Sequence, residues 1–131
     1  MKKIKVLGVI LSLFLLLGWS GTALAEEGKH EHEHASGGEA TIKGELVDSL
    51  CYVTMGATGP GHKQCAIDCA KAGIPISILE DGTKKLYTVL PAKDKTGYPA
   101  DVISKMGDKV TLKGDLYENG GNRYVTVESV E

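Results

Sequence analysis

Apolar and polar positions alternate in short stretches through the C-terminal two-thirds of the chain. In TIKGELV, Ile42, Gly44 and Leu46 fall on one side and Lys43, Glu45 and Val47 on the other, the two-residue period of a strand. The same period aligns Val110, Leu112, Gly114 and Leu116 within Asp108 to Leu116, and Val125 with Val127 within Arg123 to Val130. Ile76 to Leu79 and Lys85 to Leu90 read as two further strands. Glu80-Asp81-Gly82-Thr83 joins them, and its Asp-Gly step favours a tight hairpin turn; Glu118-Asn119-Gly120-Gly121 is a second such signal.

Between the first two strands the texture changes. TMGATGPG, residues 54–61, reads as a loop from its three glycines and one proline. HKQCAIDCAKAG, residues 62–73, repeats small and apolar residues at helical spacing, with Gly73 suited to a C-terminal cap and Pro75 enforcing the stop. PAKDKTGYPA is a loop, and Ala100 to Met106 suits a short helix or turn. Five strands in this order are too many for an isolated ribbon. They predict a mainly β domain: a five-stranded Greek-key barrel with a Cys-bearing helix inserted after strand one and a short helix between strands three and four.

The N-terminal 40 residues do not belong to that pattern. Lys2, Lys3 and Lys5 precede an apolar run from Val6 to Trp19, and Ala23-Leu24-Ala25 places small residues where a signal peptidase reads them, so residues 1–25 are expected to be an export signal. The run is short for a spanning helix, which needs about 20 residues. Residues 26–40, EEGKHEHEHASGGEA, contain no apolar residue larger than Ala and read as a flexible arm, leaving residues 41–131 as the domain. Cleavage leaves 106 residues with 12 basic against 17 acidic side chains, enough for one compact domain. The only Phe lies in the leader, so the core must be Val, Ile and Leu with tyrosines at its ends. The expected destination is exported, periplasmic in a bacterial cell, with no membrane contact after cleavage.

Charge and composition also limit partners. Tyr52, Tyr87, Tyr98, Tyr117 and Tyr124 can offer a binding face, but stacking on nucleic acid calls for interleaved basic residues, and only one Arg is present. Nucleic acid is therefore not an expected partner. No Ser-His-Asp order, paired-carboxylate helix or phosphate loop stands out, which leaves the cysteines as the main source of chemistry.

The closing stretch GDKVTLKGDLYENGGNRYVTVESVE resembles the last hairpin of bacterial exported oligonucleotide/oligosaccharide-binding (OB) fold proteins. GELVDSLCY followed by GHKQCAIDCAKAGIP resembles a subgroup of small exported proteins with a Cys-x3-Cys helix. The resemblance spans Thr41 to Glu131 and implies an OB-type barrel. It implies no particular ligand, because such barrels bind nucleic acid, sugars, proteins or metals, and others only scaffold.

All three cysteines, Cys51, Cys65 and Cys69, lie beyond the expected cleavage point. Three is odd, so at most one internal disulfide can form and a thiol remains. On a helix, His62, Cys65 and Cys69 stand at i, i+3 and i+7 on one stripe, and the glycine-rich loop is long enough to bring Cys51, at the end of the first strand, back against it. Three thiolates and an imidazole suit a closed tetrahedral Zn²⁺ site, and two or three of the sulfurs suit Cu(I). His62 and Cys69 are separated by about 10 Å along a helix axis at 1.5 Å per residue, so the three cysteines with His62 as a supporting or optional ligand make the easier set.

Two other readings remain open at this level. A Cys51–Cys65 or Cys51–Cys69 disulfide would fasten the loop in a structural or protein-interaction module, with one Cys to spare. A thiol redox protein or cofactor carrier is the third, although no Cys-x2-Cys-His for ordinary c-type haem attachment is present. His30, His32 and His34, alternating with Glu31 and Glu33, suggest weak, exchangeable capture of Cu²⁺, Ni²⁺ or Zn²⁺ on the arm. Met55 offers a thioether near Cys51. The leading expectation is an exported barrel, more an accessory than an enzyme, that handles copper or zinc and meets an exported protein partner.

Overall fold

The structure, a computed structural model, describes residues 37–131. The expected export signal, and the arm residues that carry His30, His32 and His34, lie outside the described residues. Ten elements follow in order: β1 (Gly38–Asp48), α1 (Ser49–Met55), a 3₁₀ turn (Pro60–His62), α2 (Lys63–Lys71), β2 (Ile76–Glu80), β3 (Leu86–Pro91), α3 (Ala100–Ser104), β4 (Lys109–Asn119), β5 (Asn122–Val127) and β6 (Ser129–Val130).

The strands hydrogen-bond in the order β1-β2-β3-β5-β4, and β1 pairs again with β4 to close the barrel. All pairings are antiparallel except β3–β5, which is parallel. This is the five-stranded Greek-key barrel that the alternation predicts, OB-like as the resemblance implies, with the Cys-bearing helix after β1 and a short helix after β3. Closure leaves no long free edge, which removes the template for edge-to-edge aggregation.

Of the positions read as one face, Ile42, Leu46, Leu112 and Val125 are buried in a single cluster with Ile78 and Val89, which Met106 and Val102 plug from the α3 side. Val47, read on the other side, is buried too, because α1 and α2 fold over the end of β1. Gly44 and Gly114 belong to that face because two strands pass close to them. A Cβ at Gly44 would land on the Leu79 carbonyl oxygen, and one at Gly114 on that of Thr126. Tyr87 is buried within the core cluster and Tyr98 is half-buried against it, its hydroxyl donating to the Val89 carbonyl at 3.0 Å. Tyr117 and Tyr124 oppose each other across β4 and β5.

Four local differences from the sequence expectation have physical causes. First, β1 begins at Gly38 rather than Thr41, because Gly38 to Ala40 pair with Leu116 to Gly114 of the long β4. Second, the last strand is not continuous. Leu116 pairs with Val125 but Leu112 with Val130, a one-residue offset that marks a bulge around Glu128 and separates β6 from β5.

The third difference matters most for the chemistry. Cys51 does not sit at a strand end, and Thr54 and Met55 are not loop; Ser49–Met55 form α1. Asp48 supplies an N-cap, and Gly56, at φ 67°, closes the helix in the left-handed region that glycine adopts without steric cost. Fourth, His62 ends the 3₁₀ turn and stands at the N-cap of α2 rather than on the α-helical stripe with the cysteines. Among the described residues no helix is long and apolar enough to cross a membrane.

Candidate metal centre

The centre is built where β1 leaves the barrel. Asp48 is the last strand residue and its side chain is fully buried. Its Oδ1 accepts the Cys51 backbone N–H at 2.8 Å, satisfying one of the unpaired amides of the first turn of α1. The cap orients α1, and with it the buried Cys51 side chain. The start of the helix is fastened twice more, by the Ser49 N–H to the Pro75 carbonyl at 2.9 Å and by a Ser49–Ser77 hydroxyl pair at 2.8 Å.

The glycine-rich loop then turns the chain back. The Gly59 amide donates to the Glu45 carboxylate on β1, which ties the loop to the barrel wall. Pro60–His62 follow, and the His62 Nε2 lies 3.1 Å from Asp48 Oδ2. One carboxylate therefore holds α1 with one oxygen and the start of α2 with the other. Within α2, Ala66 and Ala70 are buried and let the helix pack closely on the barrel core. Cys65 and Cys69, one turn apart, flank that buried face. Cys65 is exposed and Cys69 half-buried.

Two overlapping groups of ligand atoms result. The sulfurs of Cys51, Cys65 and Cys69 lie within 4.8 Å of one another. A carboxylate oxygen of Asp48, the Cys51 sulfur and a ring nitrogen of His62 form a second group within the same limit. Cys51 belongs to both. The loop does bring Cys51 against α2, as expected, whereas His62 joins the cluster through Asp48 and Cys51. All three cysteines are free thiols, so neither the Cys51–Cys65 nor the Cys51–Cys69 disulfide of the alternative reading is formed. Met55 ends α1 largely exposed.

The electrostatics follow from Asp48. Its own burial favours the neutral acid, but hydrogen bonds from the Cys51 amide, the Cys51 thiol and His62 outweigh that and hold the carboxyl below its ordinary value. The hydrogen bond to this carboxylate, together with burial and the repulsion of a second negative charge, pushes the Cys51 thiol up to about 12. Burial, then the charge of Asp48, pushes Cys69 up as well. In the metal-free state the thiols that face Asp48 thus keep their protons. A cation reverses that preference by favouring thiolate.

The arrangement can hold a thiophilic ion. With metal–sulfur bonds of about 2.3 Å, three thiolates of a tetrahedral site stand about 3.8 Å apart, so contraction by at most about 1 Å completes the set. Rotation of the exposed Cys65 side chain provides such movement. Asp48 is the functional residue that the Cys and His spacings did not reveal. Its signal was present as an Asp ending an alternating strand three residues before Cys51, an N-cap position. Comparison with protein-family models, curated proteins and solved structures gives no match, so the reading of this centre rests on its own geometry.

Proposed function

We propose that this protein is an exported metal-handling module that takes up a soft or borderline transition metal, copper or zinc, through Cys51, Cys65 and Cys69, with His62 in support. The observation that carries the reading is the convergence of three free sulfurs within 4.8 Å, drawn from two helices on either side of a loop. Three thiolates suit Cu(I) without a further ligand, while Zn²⁺ adds a fourth donor. The graded exposure, from buried Cys51 to exposed Cys65, gives a donor or acceptor protein one thiolate to attack while two retain the ion.

The export reading is supported by the Lys-rich start, the short apolar run and Ala23-Leu24-Ala25. In that compartment the His30, His32 and His34 arm serves as a weak collector of ions for the folded centre.

Elemental analysis combined with thiol counting on native, untagged protein tests the proposal. The expected result is at least one metal per chain with three thiols that become reactive only after chelation. A metal-free protein with a single reactive thiol would overturn it in favour of a disulfide-fastened module.

A further inference from the structure

We propose that Asp48, Cys51 and His62 form a second metal subsite, for a borderline divalent ion such as Zn²⁺, which shares the Cys51 sulfur with the three-cysteine set. The inference rests on the reading above only in taking Cys51 as a metal ligand. An oxygen, a nitrogen and a sulfur stand within 4.8 Å of one another. Their preferred guest differs from that of three sulfurs: an O/N/S set suits Zn²⁺, and a purely sulfur set suits Cu(I).

The separation of the oxygen and nitrogen donors fits. Asp48 Oδ2 and His62 Nε2 are 3.1 Å apart, and tetrahedral Zn²⁺ with bonds of about 2.0–2.1 Å sets such neighbours about 3.3 Å apart. Asp48 Oδ1 is held by the Cys51 amide, so Oδ2 alone faces the imidazole and the carboxylate binds through one oxygen. A carboxylate and a thiolate neutralise a divalent charge, with the proton from the Cys51 sulfur, and any on Nε2, passing to solvent. Asp48 is fully buried while His62 is 21% exposed, so the ion enters past the imidazole and solvent fills its fourth position. With both subsites filled, the Cys51 thiolate bridges a soft ion and a borderline one.

The test uses the full chain with His30, His32 and His34 replaced by Ala, so that any bound ion reports the folded domain, and Co²⁺ as the probe. In this background Cys65→Ser/Cys69→Ser removes the soft set at two positions outside the core. The expected result is one Co²⁺ per chain, with visible d–d absorption and a charge-transfer band of single-thiolate intensity, displaced by Zn²⁺. Addition of His62→Ala weakens Co²⁺ at least tenfold, and addition of Cys51→Ser removes the charge-transfer band. A second measurement needs neither Ser substitution: protein with its cysteines intact, loaded with one Cu(I), takes up one Co²⁺.

No Co²⁺ uptake in either experiment, or uptake indifferent to His62→Ala, overturns the subsite and shows that Asp48 and His62 only clip the loop. Failure of the proposed function reads differently: the three-cysteine protein then binds no Cu(I), whatever the double variant does with Co²⁺.

Discussion

Loading the three sulfurs must expel protons, and the surroundings of Cys51 and Cys69 set the minimum number. The hydrogen bond to Asp48 and burial push the Cys51 thiol up to about 12. At pH 7 its thiolate is therefore populated at roughly one part in 10⁵. Cys69, held above its ordinary value by burial and by Asp48, is protonated there too. Each thiol that must ionise makes apparent affinity rise about tenfold per pH unit while pH stays below its pKa. Two such thiols give about 100-fold per unit, or about 10⁴-fold between pH 6 and pH 8. Competition for Cu(I) against a chromophoric chelator, calibrated at each pH, measures the slope directly. Proton release into a weak buffer counts the same protons independently. Cys51→Ser is expected to lower the slope by one proton. A wild-type slope of one or less would refute the reasoning, since one of these two thiols would then be neither protonated in the free protein nor bonded to the metal.

Alkylation of the reduced, metal-free protein should proceed in the order Cys65, Cys69, Cys51, following exposure and, for the last, the raised pKa; peptide mapping at timed quench points reads the order. Asp48→Ala removes the N-cap of α1 and should cost about 0.5–2 kcal/mol by urea unfolding at pH 7. Because folding lowers the Asp48 pKa below 3.8, the stability from its charge is complete above about pH 4 and fades as pH falls through the folded-state value. The difference between wild type and Asp48→Ala should accordingly shrink in strong acid. Met106→Ala empties a fully buried position and should cost about 2–5 kcal/mol. Gly114→Ala should cost at least as much in thermal unfolding, because its Cβ meets the Thr126 carbonyl and must part β4 from β5.

The barrel was legible because its signals are local and repeated. A period of two places Ile42, Gly44 and Leu46 inward whatever they pack against, and Asp-Gly and Asn-Gly mark the hairpins without reference to the rest of the chain. The bulge at Glu128 left no such mark. It arises from fitting β5 and β6 against one continuous β4, a tertiary demand. Helix α1 was hidden for a related reason. SLCYVTM is seven residues long with three β-branched or aromatic members, a poor helix by propensity, and it forms because Asp48 caps it and the Ser49–Pro75 and Ser49–Ser77 contacts hold it. The cysteine cluster was legible as a set because glycine content gave the loop's reach. The position of His62 was not, since a helix drawn straight through residues 62–73 cannot anticipate the 3₁₀ turn that sets the imidazole against Asp48.

That turn bears on what the centre can do. Each element that supplies a ligand is fixed to the barrel by contacts that involve no metal: Asp48 belongs to β1, α1 is capped and tied to Pro75 and Ser77, the loop is held by Glu45, and α2 is seated through Ala66 and Ala70. Among the described residues no buried side-chain polar atom lacks a partner. With these contacts in place the domain is expected to fold without an ion, unlike small zinc domains, where binding energy is folding energy, and equal urea midpoints with and without a chelator would check it. For the proposed three-sulfur site, metal affinity would be set by the cost of drawing the sulfurs together and removing their protons. Asp48 increases the second cost by raising the thiol pKa values, while its cap decreases the first by holding Cys51 in place. Under the proposed function, such a site would hold its ion less tightly than its three sulfurs alone would allow and would keep its shape when the ion leaves. Both are properties that transfer to a partner protein requires.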